Sequence, residues 1–210
     1  RQEAPGTPAV ELGPYLVPAG AARRVHLAFE SEFNGLDGFV GWMRVVSEGA
    51  PVAVMSYVWV EPGLHPKQAV LAFEGVPVDA AARGLYVPLF RSAQRGVGPD
   101  DRIDTMIALA NPGDVPAEVA ITYHGTTNPK ASAACRGGRF AYETVMVPAG
   151  GSRWIEQRQG GDTGLPADCF GSAVIQTAAP DQSVVAVVID MTNGTELLSA
   201  SNAMPLVQAA

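Results

Sequence analysis

The chain has 210 residues, 47% of them apolar and only 17% charged, with 23 glycines and 17 prolines; that is long for one domain and comfortable for two small ones, and it suits short strands joined by tight turns better than helices. The net charge is −7, the only lysines are Lys67 and Lys130, and the arginines are dispersed, which excludes a nucleic-acid role resting on a concentrated basic surface. The longest apolar runs, such as Val184-Val185-Ala186-Val187-Val188-Ile189, are of strand length, too short to cross a bilayer as a helix, so no membrane insertion is expected.

Residues 1–14 begin Arg1-Gln2-Glu3-Ala4-Pro5-Gly6-Thr7-Pro8. This segment is too polar and proline-rich to pack, and is expected to be a flexible mature N-terminus left by signal removal. A half-buried strand is expected over 24–29, with Val25, Leu27 and Phe29 on one face and Arg24 and His26 on the other. Residues 52–60 are apolar on both faces and should lie centrally, paired with 40–46. Residues 67–78 supply a strand centred on Ala69-Val70-Leu71-Ala72-Phe73, and 85–90 another in which Pro88 marks an edge or a bulge. The polar, glycine-rich stretch 91–101 is the expected boundary. Beyond it, 105–110 and 117–123 look like a hairpin around Asn111-Pro112-Gly113-Asp114, with Pro112-Gly113 central in a type II turn. Val119, Ile121 and Tyr123 there alternate with Ala120, Thr122 and His124. Strands over 140–147, 152–157, 171–177, 183–191 and 197–204 follow, at the turn spacing of a sandwich.

A long-period repeat underlies this order. Leu16-Val17-Pro18-Ala19-Gly20-Ala21-Ala22-Arg23 returns 130 positions later as Met146-Val147-Pro148-Ala149-Gly150-Gly151-Ser152-Arg153. Gly35-Leu36 and Gly41 are echoed by Gly164-Leu165 and Gly171, and Val52-Ala53-Val54 by Val185-Ala186-Val187, in the same order. One β-rich unit is therefore expected twice. The first copy is short: about sixty residues precede Met146 in the second copy, counted from Leu85, against fifteen ahead of Leu16. The expected architecture is all-β, with two related antiparallel β-sandwich units, an incomplete one over 15–90 and a complete one over 91–210.

The strings Leu85-Tyr86-Val87-Pro88-Leu89-Phe90, Asp104-Thr105-Met106-Ile107-Ala108-Leu109-Ala110-Asn111 and Ala117-Glu118-Val119-Ala120-Ile121-Thr122-Tyr123, followed by Val147-Pro148-Ala149-Gly150 and Gly171-Ser172-Ala173-Val174, resemble the tandem β-sandwich repeats of secreted and surface-layer bacterial proteins. The resemblance covers residues 85–206 well and 15–78 in part. It implies an immunoglobulin-like or fibronectin-like sandwich in an extracellular protein, and brings no catalytic residue.

The chemistry-bearing residues are sparse. No nucleophile elbow, P-loop, zinc spacing or dinucleotide fingerprint occurs, so neither an enzyme nor a cofactor is expected. Cys135 and Cys169 flank the Pro148-Ala149-Gly150 turn. A disulfide is the expected state and would imply an oxidising compartment; two buried thiols are the alternative, and a metal site lacks a nearby histidine. His26, His65 and His124 are scattered and expected to be structural. Asp100, Asp101 and Asp104 could ligate calcium, though a solvated linker is the plainer expectation. Trp42, Trp59 and Trp154 could stack on a sugar if exposed; Trp59 sits in an apolar strand and is expected in the core, and Trp154 is the better surface candidate. Asn193-Gly194-Thr195 is a sequon but also a strong turn signal.

These features point to a structural subunit of an extracellular filament or surface lattice, assembled with copies of itself by strand complementation. Either terminus could donate, through Val10 and Leu12 or through Leu206 and Val207. The rival expectation is a carbohydrate-binding or adhesion module at the cell surface, with surface glycans as partners and Trp154 as the stacking residue.

Overall fold

The computed structural model describes residues 12–25, 43–59, 70–96, 98, 101–157, 164–192 and 196–206. Two compact units are distinguished, residues 2–41 and residues 42–210. In the first, residues 12–25 contain no strand; the chain reverses at Pro18–Gly20, and the Arg23 guanidinium lies 4.4 Å above the Tyr15 ring.

The second unit is all-β and antiparallel, and its other regular elements among the described residues are 3-10 turns at Val78–Ala80 and Ala133–Cys135. Its strands are β1 (Met55–Trp59), β2 (Val70–Glu74), β3 (Gly84–Ser92), β4 (Gln94–Arg95), β5 (Arg102–Ala110), β6 (Ala117–Gly125), β7 (Arg139–Val147), β8 (Ser152–Glu156), β9 (Cys169–Thr177), β10 (Val185–Thr192), β11 (Glu196–Asn202) and β12 (Met204–Pro205). One sheet has the order β11-β10-β5, and β8 and β4 lie end to end along the far edge of β5. The other has the order β12-β3-β9-β6-β7, while β1 and β2 form a separate hairpin.

Alternation along the strands produces the layering. Val119, Ile121 and Tyr123 of β6, with Leu85, Val87 and Phe90 of β3, turn inward from one sheet; Ile107 and Leu109 of β5 and Ala186 and Val188 of β10 meet them from the other. The aromatic part of this core is Phe90, edge-on to Tyr123 at 5.1 Å, with Phe140 beside it.

Several pairings differ from those expected. The partner of β1 is β2, whereas residues 43–46 form no strand and leave Met43, Val45 and Val46 exposed. Strand β3 runs through the expected boundary at 90/91 and pairs with β9, so the sandwich begins before the glycine-rich stretch. Its register slips between Val87 and Phe90, around exposed Pro88 and Leu89: proline has no N–H to give to a ladder, and the strand bulges there.

Strands β5 and β6 are not a hairpin, because they belong to opposite sheets. Gly113 does not take the positive φ that a type II turn requires. Asn111 organises the crossing instead. It is 2% exposed; its amide donates to the carbonyls of Val115 (2.7 Å) and Val147 (3.3 Å), and its Oδ1 accepts from Gly113 N (2.9 Å). Asn111→Ala would strand two carbonyls and an amide at once and is expected to cost about 2–3 kcal/mol, readable as a lowered denaturant midpoint with unchanged slope.

Candidate assembly surface

Two turns matched in sequence share a backbone hydrogen bond. In the first copy Ala21 N donates to Pro18 O at 3.0 Å, with Gly20 at φ +71; in the second Gly151 N donates to Pro148 O at 3.0 Å, with Gly150 at φ +59. Glycine is used at that turn position because a Cβ is disfavoured at positive φ. A second correspondence joins the hairpins. Met55 lies opposite Glu74 and Gly75 N donates to Val54 O (2.8 Å), just as Val187 lies opposite Asn202 and Ala203 N donates to Ala186 O (2.9 Å). By register Val54 therefore matches Ala186 and not Val187, a shift of one from the sequence match. The segment after each hairpin also corresponds: Val76-Pro77-Val78 to Met204-Pro205-Leu206.

The two segments behave differently. Met204 and Pro205 form β12 on the outer edge of β3, opposite Tyr86 and Leu85, and Leu206 N donates to Gly84 O at 2.9 Å. Leu206 lies across Gly84, where an added Cβ would stand 3.2 Å from its Cδ1. Beside it is an open groove of about 220 Å³ lined by Arg83, Gly84, Gln176, Thr177 and Leu206 itself. Val76 and Pro77, by contrast, lie outside any strand, and Val78 starts a 3-10 turn.

Polar contacts close one end of the sandwich. Asp190 of β10 holds Arg91 in an ion pair and accepts from Thr105 Oγ1 (2.7 Å) and Ser199 Oγ (3.1 Å), while Thr105 Oγ1 accepts from Arg91 N (2.8 Å). This ties the end of β3 to the opposite sheet. Deeper in, the Tyr123 hydroxyl donates to Glu143 and accepts from Gln157 Nε2 (2.8 Å). Burial, then the Glu143 charge and its hydrogen bond, push the Tyr123 phenol well above the ordinary tyrosine range.

That shift gives a signed expectation. Below the unfolded value of about 10 the neutral phenol's contribution is complete; above it the unfolded chain ionises while folded Tyr123 does not, so stability falls as pH rises. In an ultraviolet titration, one of the five tyrosines should ionise only with unfolding, and Tyr123→Phe should flatten the alkaline loss of stability.

The expected site residues are distributed as follows. Cys135 and Cys169 form a disulfide, both fully buried. Leu206 is on the β3 edge; Leu12 is half-buried and outside any strand; Val10 and Val207 lie outside the described residues. Trp154, on β8, is half-buried and packs on Met106 and Ile189 of the outer sheet face, so its indole serves packing before any ligand. Asp101 caps Gly98 N (2.8 Å) and Asp104 caps Ala93 N (2.7 Å), which occupies both as turn acceptors; Asp100 lies outside the described residues. No group of three histidine, cysteine or acidic side chains suited to a metal is present among the described residues. His124 sits half-buried on β6 opposite Ser172, while His26, His65, Trp42 and the 193–195 sequon lie outside the described residues. Gly84 and the Tyr123–Glu143–Gln157 group were not signalled in the sequence.

No protein-family model matches the chain, and no curated protein matches it either. A solved structure titled "Crystal Structure of Thermotoga maritima 1070" is similar at 14% identity and a TM-score of 0.38, over 61% of this chain and 98% of that one, a likeness too loose to speak for a shared fold. No helix among the described residues is long and apolar enough to cross a membrane.

Proposed function

We propose that this chain is a structural subunit of an extracellular bacterial filament or surface lattice. Its two copies are immunoglobulin-like sandwich units of the tandem-repeat kind, joined head-to-tail between subunits by strand complementation. The observation that carries the reading is the unequal pair of copies. The first has the turn and the hairpin of the second, but the edge of β1 away from β2 has no partner strand among the described residues, whereas its counterpart β10 is paired on both sides, with β11 and β5. Open sheet edges are normally covered, and a neighbouring subunit covers this one. The buried disulfide is compatible with an extracellular location.

Negative-stain electron microscopy of native material, with intact mass under non-reducing conditions, tests this. Regular fibres or a lattice from disulfide-intact chains are expected. Dispersed monomers at high concentration would overturn the reading and turn attention to glycan arrays, where Trp154→Ala should then abolish any saturable signal.

A further inference from the structure

We infer that the subunits meet end to end, the basic end of one sandwich against the acidic end of the next; this rests on the assembly reading above and gives the assembly its direction. Among the described residues from 70 to 206 the exposed charges are sorted along the strands. Lys130 and Arg136 on the β6–β7 loop, Arg139 at the start of β7 and Arg95 of β4 lie at one end. Glu74, Asp79, Asp114, Glu118 and Asp181, which are all the exposed carboxylates described in that stretch, lie at the other, where Arg83 is the one exposed cation.

Hydrogen bonds gather each set. At the acidic end Gln182 Nε2 donates to Pro116 O (2.9 Å) and Ala178 N to Glu118 O (2.9 Å), which fixes the turn bearing Asp181 beside the crossing bearing Asp114 and Glu118. Ala82 and Val184 exchange backbone hydrogen bonds and bring in the Asp79 segment, and Asn202 Nδ2 donates to Glu74 O (3.4 Å). At the basic end Asp168 joins Arg95 to the β6–β7 loop, accepting from Arg95 N (3.2 Å) on its side chain and from Ser132 N (2.9 Å) on its carbonyl. Arg136 donates to the carbonyls of Ala131 (2.9 Å) and Pro129 (3.1 Å), and the Arg139 guanidinium lies 4.9 Å from the Tyr142 ring centroid, so carbonyls and a ring place these charges without neutralising them. Asp190 is engaged by Arg91, and Asp101 and Asp104 by turn amides. Such exposed charge is screened within about 8 Å at physiological salt, so it acts where two ends face each other and sets orientation and encounter rate more than affinity. Like ends repel and unlike ends attract, so copies line up in one direction. A basic and an acidic end on every copy make a heterologous contact, which propagates when it does not close. An external polyanion would use the basic end alone, whereas a second copy uses both.

The test uses the full chain in two variants. Arg95→Glu, Lys130→Glu and Arg139→Glu together make both ends acidic, with Arg136 kept because it braces its loop; Asp79→Lys, Asp114→Lys and Asp181→Lys together make both ends basic. Each alone is expected to stay folded and disulfide-bonded and to form no fibres. Mixed in equal amounts, the two present unlike ends again and should restore fibres in which they alternate. Fibres of the intact chain should shorten as salt is raised to 1 M, where the screening length falls to about 3 Å. Fibres from either variant alone, or a mixture that stays dispersed where the intact chain assembles, would overturn the end contact and spare the assembly reading. Loss of polyglutamate binding in the first variant with its fibres unchanged would assign the basic end to an external polyanion and overturn the contact equally. Intact protein that forms no fibres would overturn the assembly reading itself.

Discussion

Replacing Cys135 and Cys169 together by alanine is expected to destabilise the folded chain by about 4 kcal/mol and to lower Tm by about 10 °C. The bridge spans a sequence separation of 34; β7 and β8 lie inside it, and β7, at the edge of its sheet, pairs with β6. Without the bridge the unfolded ensemble regains the freedom of that loop, and removing two fully buried sulfurs leaves a small cavity that adds to the loss. Differential scanning calorimetry of the double variant is the measurement. A shift below about 2 °C would mean that hydrogen bonds such as Ser132 N to Asp168 O (2.9 Å) and Gly137 N to Thr126 O (3.1 Å) hold the loop unaided, contrary to the chain-entropy argument.

Gly125→Ala should be nearly as severe, at roughly 3 kcal/mol or more. A Cβ there would stand 1.6 Å from the carbonyl oxygen of Cys135, and one at the facing Gly171 would stand 2.0 Å from that of His124. These obstacles are backbone, so no rotamer change relieves them. The loop carrying Cys135 must lift, and the disulfide opposes that. Combining Gly125→Ala with the cysteine double variant should therefore cost less than the sum, because the freed loop can move away. Strict additivity in urea unfolding would show that the close approach and the bridge act independently.

Many of the strands are legible in the sequence because apolar alternation over nine-residue stretches such as Ala117–Gly125 is a local property. Pro88 likewise announced its bulge through a missing donor. Pairing was less legible. Asn111-Pro112-Gly113-Asp114 has the composition of a hairpin turn, yet the buried Asn111 amide uses that composition to carry the chain between sheets; which sheet receives a strand is set by partners far away in sequence. Residues 43–46 are apolar enough for a strand yet form none, and β1 takes β2 as its partner instead. Along the β3 edge the apolar character of Leu206 marks it in the sequence, whereas Gly84 reads as an ordinary strand start. Its role exists only because Leu206 crosses it. The Tyr123, Glu143 and Gln157 contact is equally a product of three strands meeting.

The bridge between Cys135 and Cys169 also divides the chain mechanically. Tension applied along the backbone passes from one sulfur to the other and bypasses the loop, so β7 and β8 carry none of the load. Opening the sandwich by force would release about 110 Å less chain than its residue count allows, at about 3.4 Å per extended residue.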